Sequence, residues 1–211
     1  MNKLINSFLD KNENFYQDFK SKKIRKKIYY GYHCDTDQIY CHLNLIKKQD
    51  SAYYKFLKIV MSYFNLHKLN IIEMSCGTIP VLANIASKYS KHVDAVNYKV
   101  LYNKYHKIKV FKANLNNNFD LSNYDLIIAF RPCNPTENII DMCFKYNKNF
   151  VIYLCPCILQ PKFHTVEFTT LQQWHNYIFE KIKSNKKYKV QIITSPKLQD
   201  QMPIIIAKYL P

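Results

Sequence analysis

Seven short apolar runs, rich in β-branched and aromatic residues, recur along the chain from residue 69 onward. They span residues 69–74, 92–97, 107–113, 124–130, 149–155, 188–194 and 203–209. Most are separated by segments of helical periodicity, and the clearest helical segments span residues 51–64, 79–90, 139–147 and 171–184. Nearly continuous apolar strands that alternate with helices are typical of a parallel sheet with helices on both faces. The pattern therefore predicts an α/β fold with a mainly parallel, seven-stranded sheet.

The last two runs differ from the others in their connection. Only the eight residues SPKLQDQM separate them, which leaves no room for a crossover helix. We therefore expect a hairpin in which the last strand is antiparallel to the rest.

The first 50 residues have a different character from residues 51–211. They carry the basic run KSKKIRKK, from Lys20 to Lys27, and few long apolar stripes, so we expect a basic, mainly helical N-terminal extension. Within it, HCDTDQIYCH contains two His and two Cys in ten residues, all of which are types that bind zinc. Their spacing does not match the usual C-x-x-C knuckle, and we expect no metal site.

The net charge of +16 comes almost entirely from lysine, because Arg25 and Arg131 are the only arginines. A basic surface attracts phosphate, which favours RNA or a small anionic substrate as partner. Compositional drift toward Lys, Asn, Ile and Tyr explains the same charge without a nucleic-acid partner, and both explanations stay open. No apolar run approaches the ~20 residues needed to cross a bilayer, and no signal peptide is evident, so we expect a cytoplasmic protein without a membrane partner. The seven scattered cysteines are expected to be free thiols.

The stretch IIEMSCGTIP, residues 71–80, holds Gly77, one of only two glycines in the chain. It follows the first predicted strand, where an open α/β sheet binds its ligand and the backbone must approach that ligand closely. Glycine permits a positive φ and presents no Cβ to a ligand. An ordinary β-to-α turn is the alternative reading of the same residue.

The same residues resemble motif I of class I S-adenosylmethionine-dependent methyltransferases, in which an apolar strand with an acid leads into Gly-x-Gly-x-Gly. In this alignment Glu73 is the acid and Gly77 the central glycine, while Ser75 and Ile79 stand at the outer glycine positions. The resemblance covers residues 51–211 in strand order and implies a Rossmann-like fold. It also implies S-adenosyl-L-methionine as cofactor, with Glu73, Ser75, Cys76 and Gly77 among its binding residues.

The resemblance extends to the ends of the second and third strands. The acid that binds the ribose hydroxyls in the family falls on Asn97, beside Tyr98, and the polar residue that reads adenine falls on Asn114, beside Leu115. These four are therefore further candidate cofactor-binding residues. Asparagine supplies no carboxylate for both hydroxyls, so a catalytically inactive, RNA-binding or protein-binding relative stays open as an alternative function.

After the fourth strand the family places residues around the methyl acceptor, and here the chain has Arg131, Pro132 and Cys133. Arg131 is a candidate catalytic residue because a guanidinium can bind a carboxylate or phosphate through two parallel hydrogen bonds. The alternative interpretation is that Arg131 forms an ordinary surface ion pair. The following Asn134-Pro135-Thr136-Glu137 matches an N-cap, a first-turn proline and a capping-box acid.

Cys133 is the second candidate catalytic residue. Pro132-Cys133 after the fourth strand and Cys155 after the fifth resemble cytosine C5 methyltransferases, in which a thiolate adds to the pyrimidine ring. The acid next to that cysteine in the family is replaced here by Phe130. The sequence thus favours a methyltransferase of unknown acceptor, and a cysteine-dependent cytosine C5 enzyme is a lesser alternative.

Overall fold

A computed structural model describes residues 47–77, 79–100, 107–115, 119–156, 168–198 and 200–211. Apart from residues 47–50, the predicted N-terminal extension lies outside the described residues, as does the HCDTDQIYCH segment. The extension and the absence of a metal site within it stay predictions.

The strands, numbered in chain order, are β1 (Asn70–Met74), β2 (His92–Asn97), β3 (Ile108–Lys112), β4 (Leu126–Phe130), β5 (Asn149–Tyr153), β6 (Tyr188–Ile193) and β7 (Ile204–Tyr209). The helices of the described residues are α1 (Ala52–Tyr63), α2 (Val81–Ala86), α3 (Thr136–Lys145) and α4 (Leu171–Ser184). Two short 3₁₀ turns, Lys48–Asp50 and Leu66–Lys68, flank α1.

All seven strands form one sheet in the order β3-β2-β1-β4-β5-β7-β6. The pairs of β1 with β2 and β4, of β2 with β3, and of β4 with β5 are parallel. The hairpin strand β7 is antiparallel to both β5 and β6, and lies between them. This confirms the predicted Rossmann-like α/β fold and its antiparallel last strand.

Helices cover both faces of the sheet, as the sequence predicts. On one face, α1 and α2 pack on alternate strand residues, with Phe56, Leu82 and Ile128 fully buried. On the other face, α3 and α4 do the same through Ile139 and Trp174. The side chains on the two faces alternate along each strand, so the strands are apolar on both sides.

Local capping chemistry sets the ends of two helices. The sequence offers Asp50 or Ser51 as the N-cap of α1. The structure uses Ser51, whose Oγ accepts a hydrogen bond from the Tyr54 amide at 3.2 Å. Thr170 and Gln173 form a capping box at the start of α4, which satisfies two backbone amides that the helix itself leaves without partners.

Two helix predictions need correction. α2 is only Val81–Ala86, because beyond it Lys88 and Tyr89 donate to carbonyls three residues back, which tightens the chain into a turn. α3 begins at Thr136 with Pro135 at the N-cap position, so Asn134 is not the cap. Glu137 makes no capping box either, because Pro135 has no backbone N–H to donate to it. The Glu137 carboxylate instead accepts from Lys181 Nζ of α4 at 2.7 Å.

Candidate functional site

The carboxyl ends of β1 and β4 mark the point at which the strand order of the sheet reverses. β1 and β4 are neighbours in the sheet. From β1 the following strands β2 and β3 lie toward one edge of the sheet, whereas from β4 the following strand β5 lies toward the other edge. A crevice for a ligand opens at such a topological switch point. The turns after these two strands hold the predicted site residues Ser75, Gly77, Arg131 and Cys133. The fold therefore brings the motif I turn and the predicted acceptor residues to the same edge of the sheet.

Gly77 adopts φ 71°, in the left-handed region that favours glycine. Ser75 lies in the same region with φ 61°, at a position where the family motif has another glycine. A serine in this conformation is uncommon and bears a steric cost that glycine avoids. The turn thus keeps a glycine-type backbone at both positions, although only one of them is glycine.

Hydrogen bonds from neighbouring strands hold this turn. Asn97 at the end of β2 is buried, and its Nδ2 donates to the Gly77 carbonyl at 2.7 Å and to the Lys99 carbonyl at 3.4 Å. Contact with two carbonyl oxygens fixes the orientation of the amide, since only its nitrogen can donate. Ser75 Oγ donates to the Pro132 carbonyl at 3.2 Å and joins the β1 turn to the β4 turn.

Glu73 is buried, and its carboxylate accepts a hydrogen bond from the Ala83 amide of α2 at 2.7 Å. Burial raises the pKa of this carboxyl from 4.5 to about 8, and the hydrogen bond from Ala83 opposes that rise only in part. Glu73 therefore connects β1 to the first turn of α2. Its predicted contact with the cofactor stays a prediction.

Cys76 is also buried, and burial together with the nearby Glu73 carboxylate raises the pKa of its thiol. Its backbone amide donates to the Val96 carbonyl of β2 at 3.2 Å. A buried thiol with a raised pKa is unreactive, so Cys76 contributes its backbone rather than thiolate chemistry to the turn.

The candidates at the ends of β2 and β3 differ in exposure. Tyr98 is 67% exposed, which is unusual for an aromatic ring in this fold and leaves its faces accessible. Asn114 is exposed as well, whereas Leu115 is buried and its carbonyl accepts from Asn138 Nδ2 at 2.9 Å. Tyr98 and Asn114 thus present side chains at this edge, while Leu115 anchors the β3 turn to α3.

Arg131 follows β4 and forms an ion pair with Asp200 of the β6–β7 connection. Asp200 also accepts a hydrogen bond from the Tyr153 hydroxyl at the end of β5. The guanidinium carbon lies 5.5 Å from the Phe130 ring centroid and 5.6 Å from that of Tyr153, within cation–π range. With a side chain only 12% exposed, Arg131 belongs to a largely desolvated cluster and not to a loose surface pair.

Asp200 is a site residue that the sequence reasoning missed. It lies 69 residues from Arg131 in the chain, in a connection read only as the turn of a hairpin. No local pattern distinguishes it from any other polar turn residue. Its role depends on β7 lying next to β5, which brings the β6–β7 connection over the ends of β4 and β5.

Cys133 and Cys155 follow β4 and β5, and the structure brings their sulfur atoms to 3.1 Å. Cys133 is half-buried with φ 50°, whereas Cys155 is only 4% exposed. The two candidate thiols of the C5 resemblance are thus in direct contact.

Other candidate features of the described residues lie elsewhere or are absent. A cavity of about 400 Å³ is lined by residues 61–67 and Tyr89, next to the amino end of β1 and so at the opposite edge from these turns. The described part of the chain contains no cluster of three or more metal-binding side chains. It also contains no helix with the length and apolar character needed to span a bilayer.

No protein-family model matches the sequence, and no curated protein matches it either. Solved structures do match at low identity. A SAM-dependent methyltransferase from Aquifex aeolicus superposes with a TM-score of 0.51 at 10% identity, over 71% of this chain and 87% of that one. A mutant of MtNAS in complex with S-adenosylmethionine gives a TM-score of 0.52 at 10% identity, over 83% and 73% of the two chains. An rRNA methylase from Streptococcus thermophilus gives 0.50 at 6% identity, over 74% and 95%.

These similarities, together with the strand order and the β1 turn, define the class of the fold. The chain has the fold of the class I S-adenosylmethionine-dependent methyltransferases. At such low identities the similarity concerns the fold, and the chemistry must be argued from this chain's own residues.

Proposed function

We propose that this protein binds S-adenosylmethionine at the carboxyl ends of β1, β2 and β3 and transfers its methyl group to an acceptor held beyond β4 and β5. The observation that carries the proposal is the Gly77 turn: φ 71° at the topological switch point, with the Gly77 carbonyl fixed by Asn97. A backbone without Cβ at this place fits a ligand that must approach the chain closely.

The residues of this edge fit such a cofactor. Ser75, Cys76 and Gly77 would hold it through their backbone, because the Cys76 and Glu73 side chains are buried and engaged elsewhere. The exposed Tyr98 ring offers a stacking face, and the exposed Asn114 offers an amide donor and acceptor. The cofactor supplies an activated methyl group on a sulfonium, and the protein supplies orientation and exclusion of water.

The carboxyl edge of the sheet as a whole carries exposed basic side chains. The exposed lysines at this edge include Lys99 after β2, Lys112 at the end of β3 and Lys197 in the β6–β7 connection. Together with the net charge of +16, they favour a phosphate-bearing acceptor, and we propose RNA before a small anionic molecule. Arg131 would contribute to acceptor binding by exchanging part of its pairing with Asp200 for the acceptor's anion.

A thermal-shift measurement with S-adenosylhomocysteine tests the proposal, since a ligand that binds only the folded state raises the Tm. The wild-type protein should show a shift that grows with ligand concentration. Tyr98→Ala should reduce it, and because Tyr98 is 67% exposed this change should leave the ligand-free Tm nearly unchanged.

Gly77→Val should abolish the shift, and circular dichroism must show that the variant is folded. A matched control is Tyr146→Ala, which removes a partly exposed tyrosine at the opposite end of α3 from the site and should leave the shift intact. If neither S-adenosylmethionine nor S-adenosylhomocysteine binds at millimolar concentration, the enzyme proposal fails. RNA or protein binding by that same protein would then support the alternative of a non-catalytic module.

A second candidate function is supported by the contact of Cys133 and Cys155, whose sulfurs lie 3.1 Å apart beyond β4 and β5. A cysteine-dependent cytosine C5 methyltransferase would use one of these thiolates to attack the pyrimidine ring. RNA containing 5-fluorocytosine should then leave a covalent adduct on Cys133 or Cys155, which peptide mass spectrometry detects. Methyl transfer to RNA without an adduct would instead show that the protein acts by orienting cofactor and acceptor, with no covalent step on cysteine.

A further inference from the structure

The contact between Cys133 and Cys155 also carries an inference that depends on neither cofactor nor acceptor. Their sulfurs are 3.1 Å apart, so about 1 Å of approach separates the contact from a disulfide bond. The two residues belong to the turns after neighbouring parallel strands, whose register places Phe130 opposite Tyr153. The sheet itself therefore holds the two thiols together.

The two thiols differ in accessibility. Cys133 is half-buried and open in part to solvent, whereas Cys155 is 4% exposed. A small oxidant can therefore reach Cys133, and Cys155 is protected from it while still in contact with the Cys133 sulfur. This is the arrangement of an attacking thiol with a resolving partner.

We propose that Cys133 and Cys155 form a reversible disulfide by exchange with a small-molecule disulfide. The Cys133 thiolate attacks one sulfur of the small disulfide, so that a mixed disulfide forms and one thiol leaves. The Cys155 thiolate then attacks the Cys133 sulfur, which closes the intramolecular bond and releases the second thiol. Two cysteine thiols are oxidised, one small disulfide is reduced to two thiols, and the two cysteine protons end on those thiols.

The bond acts directly on the edge of the sheet that holds the Gly77 turn. Cys133 follows Pro132, whose carbonyl accepts the Ser75 hydroxyl at 3.2 Å and so joins the β4 turn to the β1 turn. The disulfide would add a covalent link between the β4 turn and the β5 turn next to this hydrogen bond. Oxidation therefore fixes the β4 turn in one position, and it removes both thiols from any chemistry at this edge.

Peptide mapping of the full-length chain after treatment with oxidised glutathione tests the proposal. The experiment uses Cys157→Ser as the parent, because Cys157 lies two residues from Cys155 in sequence and would compete with it for Cys133. We expect a cross-linked peptide pair containing Cys133 and Cys155, a loss of two alkylatable thiols per chain, and full recovery with dithiothreitol.

Two further variants, made in the Cys157→Ser parent, separate the steps. Cys155→Ser should stop the exchange at a glutathione adduct on Cys133, and Cys133→Ser should abolish the cross-link. The matched control Cys143→Ser removes a fully buried thiol on α3 and should leave the cross-link unchanged.

Glutathione adducts on the parent without a Cys133–Cys155 cross-link would overturn the proposal, as would a parent in which the Cys133 and Cys155 thiols both stay alkylatable. The parent alone decides both outcomes, so the test does not depend on the folding of the other variants. Since the readout is peptide mass, its result is independent of S-adenosylmethionine binding.

Discussion

Replacing Glu73 by Gln should remove a large pH dependence from the stability of this protein. Glu73 is buried against α2, and its pKa of about 8 compares with an ordinary value of 4.5. Between these two pH values the folded state binds a proton that the unfolded state has released. The free energy of unfolding therefore falls as the pH rises from about 4.5 through 8.

The size of the effect follows from the same two values. Each pKa unit corresponds to about 1.4 kcal/mol, so Glu73 alone lowers the free energy of unfolding by a few kcal/mol across this range. For a chain of this length that corresponds to a Tm change on the order of 10 °C. The glutamine that replaces Glu73 does not titrate, and its carbonyl oxygen can still accept from the Ala83 amide.

Ligand-free thermal unfolding of both proteins at pH 5, 6.5 and 8 measures this. The Gln side-chain amide also needs a buried acceptor, which costs about 1–3 kcal/mol at every pH and shifts the variant uniformly. The diagnostic quantity is therefore the Tm of Glu73→Gln minus that of the wild type, which should rise steadily with pH. Glu180→Gln is the matched control, because the Glu180 side chain is 76% exposed and should give a flat difference.

A Tm difference for Glu73→Gln that stays constant between pH 5 and 8 would refute the reasoning. It would mean that the Glu73 carboxyl titrates near its ordinary pKa in the folded protein, and hence that water or a cationic group reaches it.

Three further predictions concern the site. Asn97→Asp should lower the Tm by several degrees and weaken S-adenosylhomocysteine binding, because a carboxylate would replace the donor that lies 2.7 Å from the Gly77 carbonyl; tighter binding in a titration would instead identify Asn97 as a ribose ligand. Arg131→Lys should reduce acceptor affinity at least severalfold in a binding assay and leave cofactor binding unchanged, because lysine keeps the charge but lacks the planar guanidinium fork. Unchanged acceptor affinity would mean that Arg131 is only a structural partner of Asp200. RNA affinity should fall steeply as the salt concentration rises. In a filter-binding series, the slope of log affinity against log salt concentration should be flatter when five basic residues of the extension are replaced by Gln, namely Lys22, Lys23, Arg25, Lys26 and Lys27. Identical slopes for the two proteins would exclude the extension from the RNA interface.

The sequence by itself determined the layered α/β fold and the position of the glycine turn after its first strand. Alternation of apolar runs with helical segments reports burial on both faces of a sheet, and this information is local to each segment. The eight residues between the last two runs were enough to predict their antiparallel hairpin. Gly77 stood out because a glycine-poor chain keeps glycine where the backbone requires it, and its φ is 71°. Local capping rules were less dependable: they left Asp50 and Ser51 as alternative caps of α1, of which the structure uses Ser51, and they put the cap of α3 at Asn134 instead of Pro135.

Only the tertiary structure decided which side chains meet around the carboxyl edge of the sheet. The insertion of β7 between β5 and β6 brings Asp200 to Arg131, and the register of β4 against β5 brings Cys133 to Cys155. Likewise, Glu73 reaches the backbone of α2 because that helix packs over its face of the sheet. These partners are 69, 22 and 10 residues apart in the chain. Periodicity and motif spacing describe how each segment is buried, whereas such contacts depend on how separate segments are paired and stacked, which no single segment encodes.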